Sequence, residues 1–520
     1  MRIFRHFIRV GNRRVHYRRA GSGPSLLMVH QSPRSSAEYE PLMRKWAQHF
    51  TCIAPDTPGF GQSDPLPGNP AGKPEIGDFS QALIELLGAL GIAKTAAYGF
   101  HSGGIILVNA ARHHPERFSA LAIGGYGIWT PEEMALFGKS YLPPLRPSAY
   151  GEHLHWLWNR ILEQTWFFPW FDVRDGARIS VSHDDPIRTD AVVRDMLDSG
   201  DAYRAGYGAV FRAPRDIPAP NARTMPVLIA AYNGDPLQAH IPRLGEMPPS
   251  WRAQAVATPA DLEAACLAHL QQALGLPCPA LPESSDGGFI HVASAGFDGL
   301  IHWRGKRDGK TVQFHAPGRA AELLDVADAL AIDLPGHGLS DAWQAGYTPD
   351  LHAWSTVAAE TIGALSTTRS PVVIGEGMSA FLAADVARRV DASGWGAIAA
   401  HIPIKSDVKR WSELAIPHLT PDRFGSYLTA AWSAVRAAHF FWPWFDAGAA
   451  NAIPFSTADV APEALALEHR SLIRARSGRA LMDALLAADR DALVAAAPAI
   501  VTWSKAQWAK ARVDIWSPST

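Results

Sequence analysis

A histidine and a serine stand side by side in a turn closed by glycines, Gly99-Phe100-His101-Ser102-Gly103. An imidazole exchanges a proton near neutral pH, and a hydroxyl beside a base is a nucleophile. This pentapeptide therefore holds the parts of acid–base or covalent chemistry. Two further loops carry polar groups directly after apolar runs, His30-Gln31-Ser32-Pro33 and Asn233-Gly234-Asp235-Pro236. Other clusters promise less. His153, His155 and the distant His183-Asp184-Asp185 have no recognised ligand spacing, so no metal is expected. No glycine-rich phosphate loop occurs either, the glycines at 99, 103 and 104 serving the turn.

The elements that must position these residues read as strands alternating with helices. Ser25–His30, Thr51–Pro55, Thr95–Tyr98, Phe118–Ile123 and Val227–Tyr232 are short apolar runs of the buried parallel type. Helical spacing runs from Asp78 to Leu90 and from Gly104 to about His113. This alternation predicts an α/β chain built on mostly parallel sheets flanked by helices. About a hundred residues between the last two strands, 128–222, are rich in aromatics and read as an inserted helical lid.

The design is written twice. Phe167-Phe168-Pro169-Trp170-Phe171-Asp172 returns as Phe441-Trp442-Pro443-Trp444-Phe445-Asp446. Asp56-Thr57-Pro58-Gly59-Phe60-Gly61-Gln62-Ser63-Asp64 returns as Asp333-Leu334-Pro335-Gly336-His337-Gly338-Leu339-Ser340-Asp341, and Gly99–Gly103 aligns with Gly375-Glu376-Gly377-Met378-Ser379. A Pro- and Ser-rich linker at 276–285 separates a domain at 1–275 from one at 286–520, whose own lid is expected at 405–497.

A strand, a turn of the form Gly-x-nucleophile-x-Gly and a helix resemble the nucleophile elbow of the α/β-hydrolase fold. The His30 loop resembles that family's oxyanion loop, the Asp56–Asp64 phrase its second signature, and the Asp235 loop the one carrying its triad acid. The resemblance covers nearly all of both copies and implies two tandem α/β-hydrolase-like domains. The departures are informative. With small residues required two positions either side of the nucleophile, the nucleophile place holds His101. Ser102 takes that place only if Phe100 occupies the cramped position. The triad histidine expected after the last strand is absent at Thr258-Pro259-Ala260-Asp261.

His101 is longer than a serine and could occupy the missing ring's place, held by Asp235 as a dyad. The resemblance then places an oxyanion between the N–H groups of Ser102 and Gln31, the residue after His30. The bland alternative is that His101 is a decayed nucleophile. In the second copy Gly377 holds the nucleophile place, His315 keeps the oxyanion-loop place, and the acid loop after Ile500–Trp503 reads Ser504-Lys505-Ala506-Gln507, without a carboxylate. That copy reads as a degenerate pseudo-domain supporting the first. Trp156, Trp158, Trp166, Phe167, Phe168, Trp170 and Phe171 crowd the first lid. Trp166 and Phe168 are candidates to line a pocket for an apolar or aromatic substrate. Because copy two keeps the aromatics of this phrase, packing is the competing role. Asp172 and its counterpart Asp446, each closing that phrase, call for partners.

The 520 residues are 47% apolar and 19% charged, which excludes a disordered chain. A net charge of −2 supplies no field for nucleic acid or an anionic bilayer. Cys52, Cys266 and Cys278 make an odd set without CxxC spacing, so reduced thiols are expected. The basic N-terminus lacks a following apolar segment, and no membrane-spanning run occurs, which together imply a cytoplasmic protein. The expectation is an enzyme without cofactor, acting through His101 and Asp235 on a small ester, amide or carbon–carbon bonded substrate. Two alternatives stand beside it. One is general-base chemistry such as a lyase, decarboxylase or cofactor-free oxygenase reaction. The other is a non-catalytic binding or scaffold protein. The oligomeric state is left open.

Overall fold

The chain opens with a hairpin, β1 (Phe4–Val10) against β2 (Arg13–Ala20), that composition had marked only as basic. In the computed structural model, which describes residues 1–68, 73–280, 286–398 and 407–489 with 492 and 495, six more strands follow in the first unit. They are β3 (Ser25–Val29), β4 (Thr51–Pro55), β5 (Thr95–Phe100), β6 (Phe118–Gly124), β7 (Val227–Tyr232) and β8 (Trp251–Val256). The sheet order is β1-β2-β4-β3-β5-β6-β7-β8, antiparallel across β1, β2 and β4 and parallel from β4 to β8.

Strand alternation divides the core between the two faces. Leu27, Val29, Ile53, Leu121 and Ile229 meet Leu83 and Leu87 of α2 (Ile76–Ala89) and Ile106 and Val108 of α3 (Ser102–His113). Their neighbours Leu26, Met28, Cys52, Ala54 and Leu228 meet Met43 and Trp46 of α1 (Glu40–Trp46) and Leu262 and Cys266 of α8 (Pro259–Leu270). Inserted between β6 and β7 are α4 (Pro131–Ser140), α5 (Glu152–Trp166), α6 (Pro186–Ser199) and α7 (Tyr203–Phe211), so the lid follows the sixth strand.

The second unit builds a separate sheet from β9 (Gly287–Ser294), β10 (Phe297–Gly305), β11 (Thr311–Phe314), β12 (Ala329–Ile332), β13 (Val372–Glu376) and β14 (Gly394–Ile398). Its order, β9-β10-β12-β11-β13-β14, repeats the first six strands of the first sheet. The helices α9 (Leu351–Leu365) and α10 (Ser379–Arg389) take the places of α2 and α3, and α11 (Val408–Leu414), α12 (Ser426–Ala437), α13 (Pro462–Arg474) and α14 (Gly478–Ala487) follow β14. The stretch Ile500–Trp503 and the loop Ser504–Gln507 lie outside the described residues.

By contacts, the first unit is Met1–Arg146 with Trp156–Glu283, and the second is Pro147–His155 with Ser284–Thr520. Nine residues of the expected first lid thus go with the second unit, where the Trp432 ring stands 4.9 Å from His153 and its indole N–H donates to Ala149 O at 3.3 Å. The start of the expected linker is tied to the first unit: Ser25 N–H donates to Leu276 O at 2.9 Å, and Pro277 bridges Pro24.

The repeated aromatic phrases do equivalent packing work. Phe167 bridges Arg178 and Phe441 bridges Ala452, while the Trp170 and Trp444 indoles donate to Tyr141 O and Ala415 O. Asp172 pairs with Arg174 and Asp446 with Arg410. Among the described residues no helix is long and apolar enough to cross a membrane.

Candidate active site

The turn between β5 and α3 places His101 at its apex with φ +48° and ψ −112°, a region that non-glycine residues rarely occupy. The flanking glycines are required by crowding. A Cβ on Gly99 would lie 2.7 Å from Gly103 C, and one on Gly103 would lie 1.9 Å from Val29 O. His101 thus stands between the two crowded glycines, and Ser102 is the first residue of α3.

From the apex, His101 Nε2 reaches Asp235 at 3.0 Å to Oδ1 and 3.1 Å to Oδ2. The Asp235 side chain is fully buried and the His101 side chain is 26% exposed, so the imidazole is the face the dyad shows to the cavity. Asp235 also caps the 3-10 turn Pro236–Leu244, accepting from Leu237 N–H at 2.8 Å. Burial works to raise its carboxyl, but the charge and hydrogen bond of His101 and the Leu237 N–H together hold it below the usual carboxylate range. With Nε2–H given to Asp235, the lone pair of the ring sits on Nδ1. Phe100 stacks on the other face of the ring, centroids 4.1 Å apart.

Gly125 makes room for this pair. Its φ is +64°, and a Cβ there would lie 2.6 Å from His101 Cδ2 and 2.8 Å from Asp235 Oδ2. Sequence reasoning passed over Gly125, although the pair Gly124-Gly125 at a strand end was the available signal. The place where a triad histidine was sought is a helix start: Thr258 and Asp261 form a capping box on α8.

Ser102 is turned away from proton chemistry. Its Oγ accepts from Ser32 N–H at 2.5 Å, and among the described residues it has no hydrogen bond to an imidazole or carboxylate. Its backbone N–H belongs to the first turn of α3, where intrahelical partners are lacking. The second expected oxyanion donor is taken: Gln31 N–H donates to Glu38 Oε1 at 2.7 Å, and the Gln31 amide to Glu38 Oε2 at 3.0 Å. A donor already committed to a carboxylate does not greet a developing oxyanion, which corrects the role expected of Gln31. Burial raises the Glu38 carboxyl, opposed by Arg34.

His30 is structural as well. It is 1% exposed, its Nδ1–H donates to Gln31 O at 2.9 Å, and its Nε2 accepts from Thr57 N–H at 2.9 Å. His315 repeats this with Ala316 O and Leu334 N–H, at 2.9 and 3.0 Å. In that unit Ala316 N–H is again committed to a carboxylate, Glu376, at 3.0 Å. At the elbow stands Gly377, φ +57°.

Above the dyad is a cavity of about 160 Å³. His101, Ser102 and Gln31 form its floor, and Trp129, Tyr141, Phe168, Tyr207 and Phe211 reach it from the segment inserted between β6 and β7. Phe168 is among the residues on its wall. Trp166 is not; its indole N–H donates to His183 O at 2.8 Å. Trp129, Tyr141 and Tyr207 carried no motif, and their convergence depends on how the lid folds back. Among the described residues no group of three His, Cys, Asp or Glu side chains converges as metal ligands would.

Comparison with known proteins gives the same fold. Residues 24–136 match the family described as alpha/beta hydrolase fold. An uncharacterized protein of Mycobacterium tuberculosis is 32% identical over 133 residues, 26% of this chain and 38% of the other. Haloalkane dehalogenase 2 of the same species is 28% identical over 139 residues, 26% of this chain and 47% of that one. The chain thus spans less than half the length of these relatives. Among solved structures, epoxide hydrolase A from Mycobacterium thermoresistibile aligns at 17% identity with a TM-score of 0.41, covering 53% of this chain and 100% of that one.

Proposed function

We propose that the first of the chain's two α/β units, whose residues 24–136 match the alpha/beta hydrolase fold, is a general-base enzyme in which His101, oriented by Asp235, moves the proton of the reaction. The observation that carries this is the hydrogen bond from His101 Nε2 to a buried carboxylate at the apex of the elbow, beneath a cavity. A base must stand within hydrogen-bond reach of the proton it takes, and Nδ1 is the nitrogen left to do so.

In the hydrolytic form, Nδ1 takes a proton from water and the resulting hydroxide attacks the carbonyl of a small ester, amide or carbon–carbon bonded substrate. The Ser102 N–H steadies the oxyanion, and the imidazolium returns its proton to the leaving group. Asp235 stabilises the imidazolium throughout. In the second form Nδ1 takes a proton from the substrate itself, as a lyase or decarboxylase does. The occupied Gln31 N–H favours this second form, because acyl transfer leans on two oxyanion donors where this site offers one. The aromatic walls fit an apolar or aromatic substrate, and the cavity, below the roughly 300 Å³ at which most ligand sites begin, fits a small one. The second unit, with glycine at its elbow, serves as a structural partner.

The test is a screen of aryl esters, amides, β-diketones and β-hydroxy acids against wild type, His101→Ala and Ser102→Ala. A general base is worth about 10²- to 10⁴-fold, so His101→Ala should lose at least that much while Ser102→Ala stays within about tenfold, its backbone donor intact. Equal losses would restore Ser102 as nucleophile, and full activity in His101→Ala would end the dyad reading.

A further inference from the structure

Behind Gln164, on the lid side of the cavity, lies a cation without a counter-charge among the described residues. Arg160, on α5, is 2% exposed. Its Nη1–H donates to Gln164 Oε1 at 2.9 Å and lies 3.5 Å from Met196 Sδ. Among the described residues its Nε and Nη2 have no hydrogen-bond partner and no carboxylate pairs with it. The Trp170 and Tyr203 rings lie 5.1 and 5.9 Å from its Cζ. Ring faces attract the cation but leave its in-plane N–H groups unsatisfied. A buried charge held this way is costly unless something else completes it.

Its neighbours point to the missing partner. Because Gln164 Oε1 is held by Arg160, the amide orientation is set and the Gln164 NH₂ is left for the cavity that this residue lines. Tyr207 donates its hydroxyl to Tyr141 at 3.3 Å, so the Tyr141 O–H is left to donate. Burial pushes both phenols up and keeps them protonated, with Arg160 opposing. Trp129 lines the same cavity, and among the described residues its buried indole N–H has no partner. The Gln164 amide, with the cation behind it, and the Tyr141 hydroxyl form an anion-reading end, and His101 on the cavity floor is the basic end.

We propose that the substrate of this site is a small monocarboxylate. Its carboxylate is held by Gln164 and Tyr141 against Arg160, and its apolar body lies among Trp129, Phe168 and Phe211 toward His101. This rests on reading the cavity as the active site. Arg160 acts through Gln164 and is a positioning residue; the amide it orients and the charge it supplies give the preference for carboxylate over neutral acceptors.

The experiment is calorimetric binding, with no turnover required, of propionate, benzoate and phenylacetate beside their primary amides. Wild type and His101→Ala should both bind at least one carboxylate tenfold or more tighter than its amide. Arg160→Met should abolish that discrimination while amide affinity is retained, and should melt no lower than wild type, since it removes an unpaired buried charge. Gln164→Leu supplies the second test, with the same loss expected if Arg160→Met does not fold. Equal affinity for acid and amide in wild type, discrimination that survives both lid variants, or no carboxylate binding at millimolar concentration would overturn the proposal. Carboxylate binding together with an active His101→Ala would remove the dyad reading and leave this one standing.

Discussion

At the scale of the residue, the chemistry depends on which nitrogen of His101 is tied down. Asp235→Asn substitutes an amide whose NH₂ would donate to Nε2 and drive the proton to Nδ1, the nitrogen needed as base. The expected loss is on the order of 10³–10⁴ in kcat, with substrate affinity little changed. A loss below tenfold would show that tautomer control is unimportant. Asp235 titrates below its ordinary range, so its ionised form is favoured by the fold, and that contribution is present above the unfolded pKa of about 3.9 and lost only as pH falls through the lower folded value. Asp235 itself therefore contributes no acid limb to the rate profile above about pH 4. Gly125→Ala tests the same pair from behind. The added methyl lands within 2.8 Å of both partners, and activity should fall at least as far as in Asp235→Asn while far-UV circular dichroism is unchanged.

At the scale of the element, the elbow works because β5 and α3 are each anchored beyond the turn. Ile106 and Val108 of α3 bury against Leu83 and Ile123, and Ser80 Oγ donates to Ile106 O at 3.0 Å. Leu83→Ala should cost about 2–5 kcal/mol of stability by denaturant titration, the range for a buried leucine truncated in a closed core. Thr258→Ala removes one arm of the α8 capping box and should cost roughly 1 kcal/mol without changing turnover. A large catalytic effect there would give the turn after β8 a part in the chemistry that its capping role does not explain.

At the scale of the whole molecule, several histidines are held neutral by burial. His240, whose Nδ1 accepts from Ile128 N–H, and His6 are both pushed down to about 4. A histidine with a lowered folded pKa stabilises the fold fully above its unfolded value of about 6.5, and that stability drains away as pH falls from there toward about 4. Melting temperature should therefore drop progressively across that window, and a flat profile would contradict the burial assigned to these rings. We also infer that the second copy supports the first. Pro147–His155, part of the chain that leads into α5, clusters with the second unit through Trp432 and Arg436. Residues 1–280 expressed alone should be less soluble and melt lower than the full chain; equal stability would require another role for the second unit.

The duplication, the alternation of strands and helices, and the elbow glycines were legible in the sequence because each is a local pattern: a repeated phrase, a periodicity, or a turn that tolerates only small residues. The register at His101 followed from the same steric rule. The contacts of His101 were not local. Its 134-residue leap to Asp235 was reachable only through a family resemblance, and the space Gly125 leaves for the pair has no sequence signature beyond a glycine doublet. The Gln31 N–H looked free because Glu38, seven residues on, gives no sign in the linear order that it folds back to cap it. Arg160 reads as an ordinary polar position of a lid helix, yet tertiary packing buries it beside Gln164 without a counter-charge. Hydrogen bonds, burial and unpaired charge are properties of groups distant along the chain, so only the folded structure could decide them.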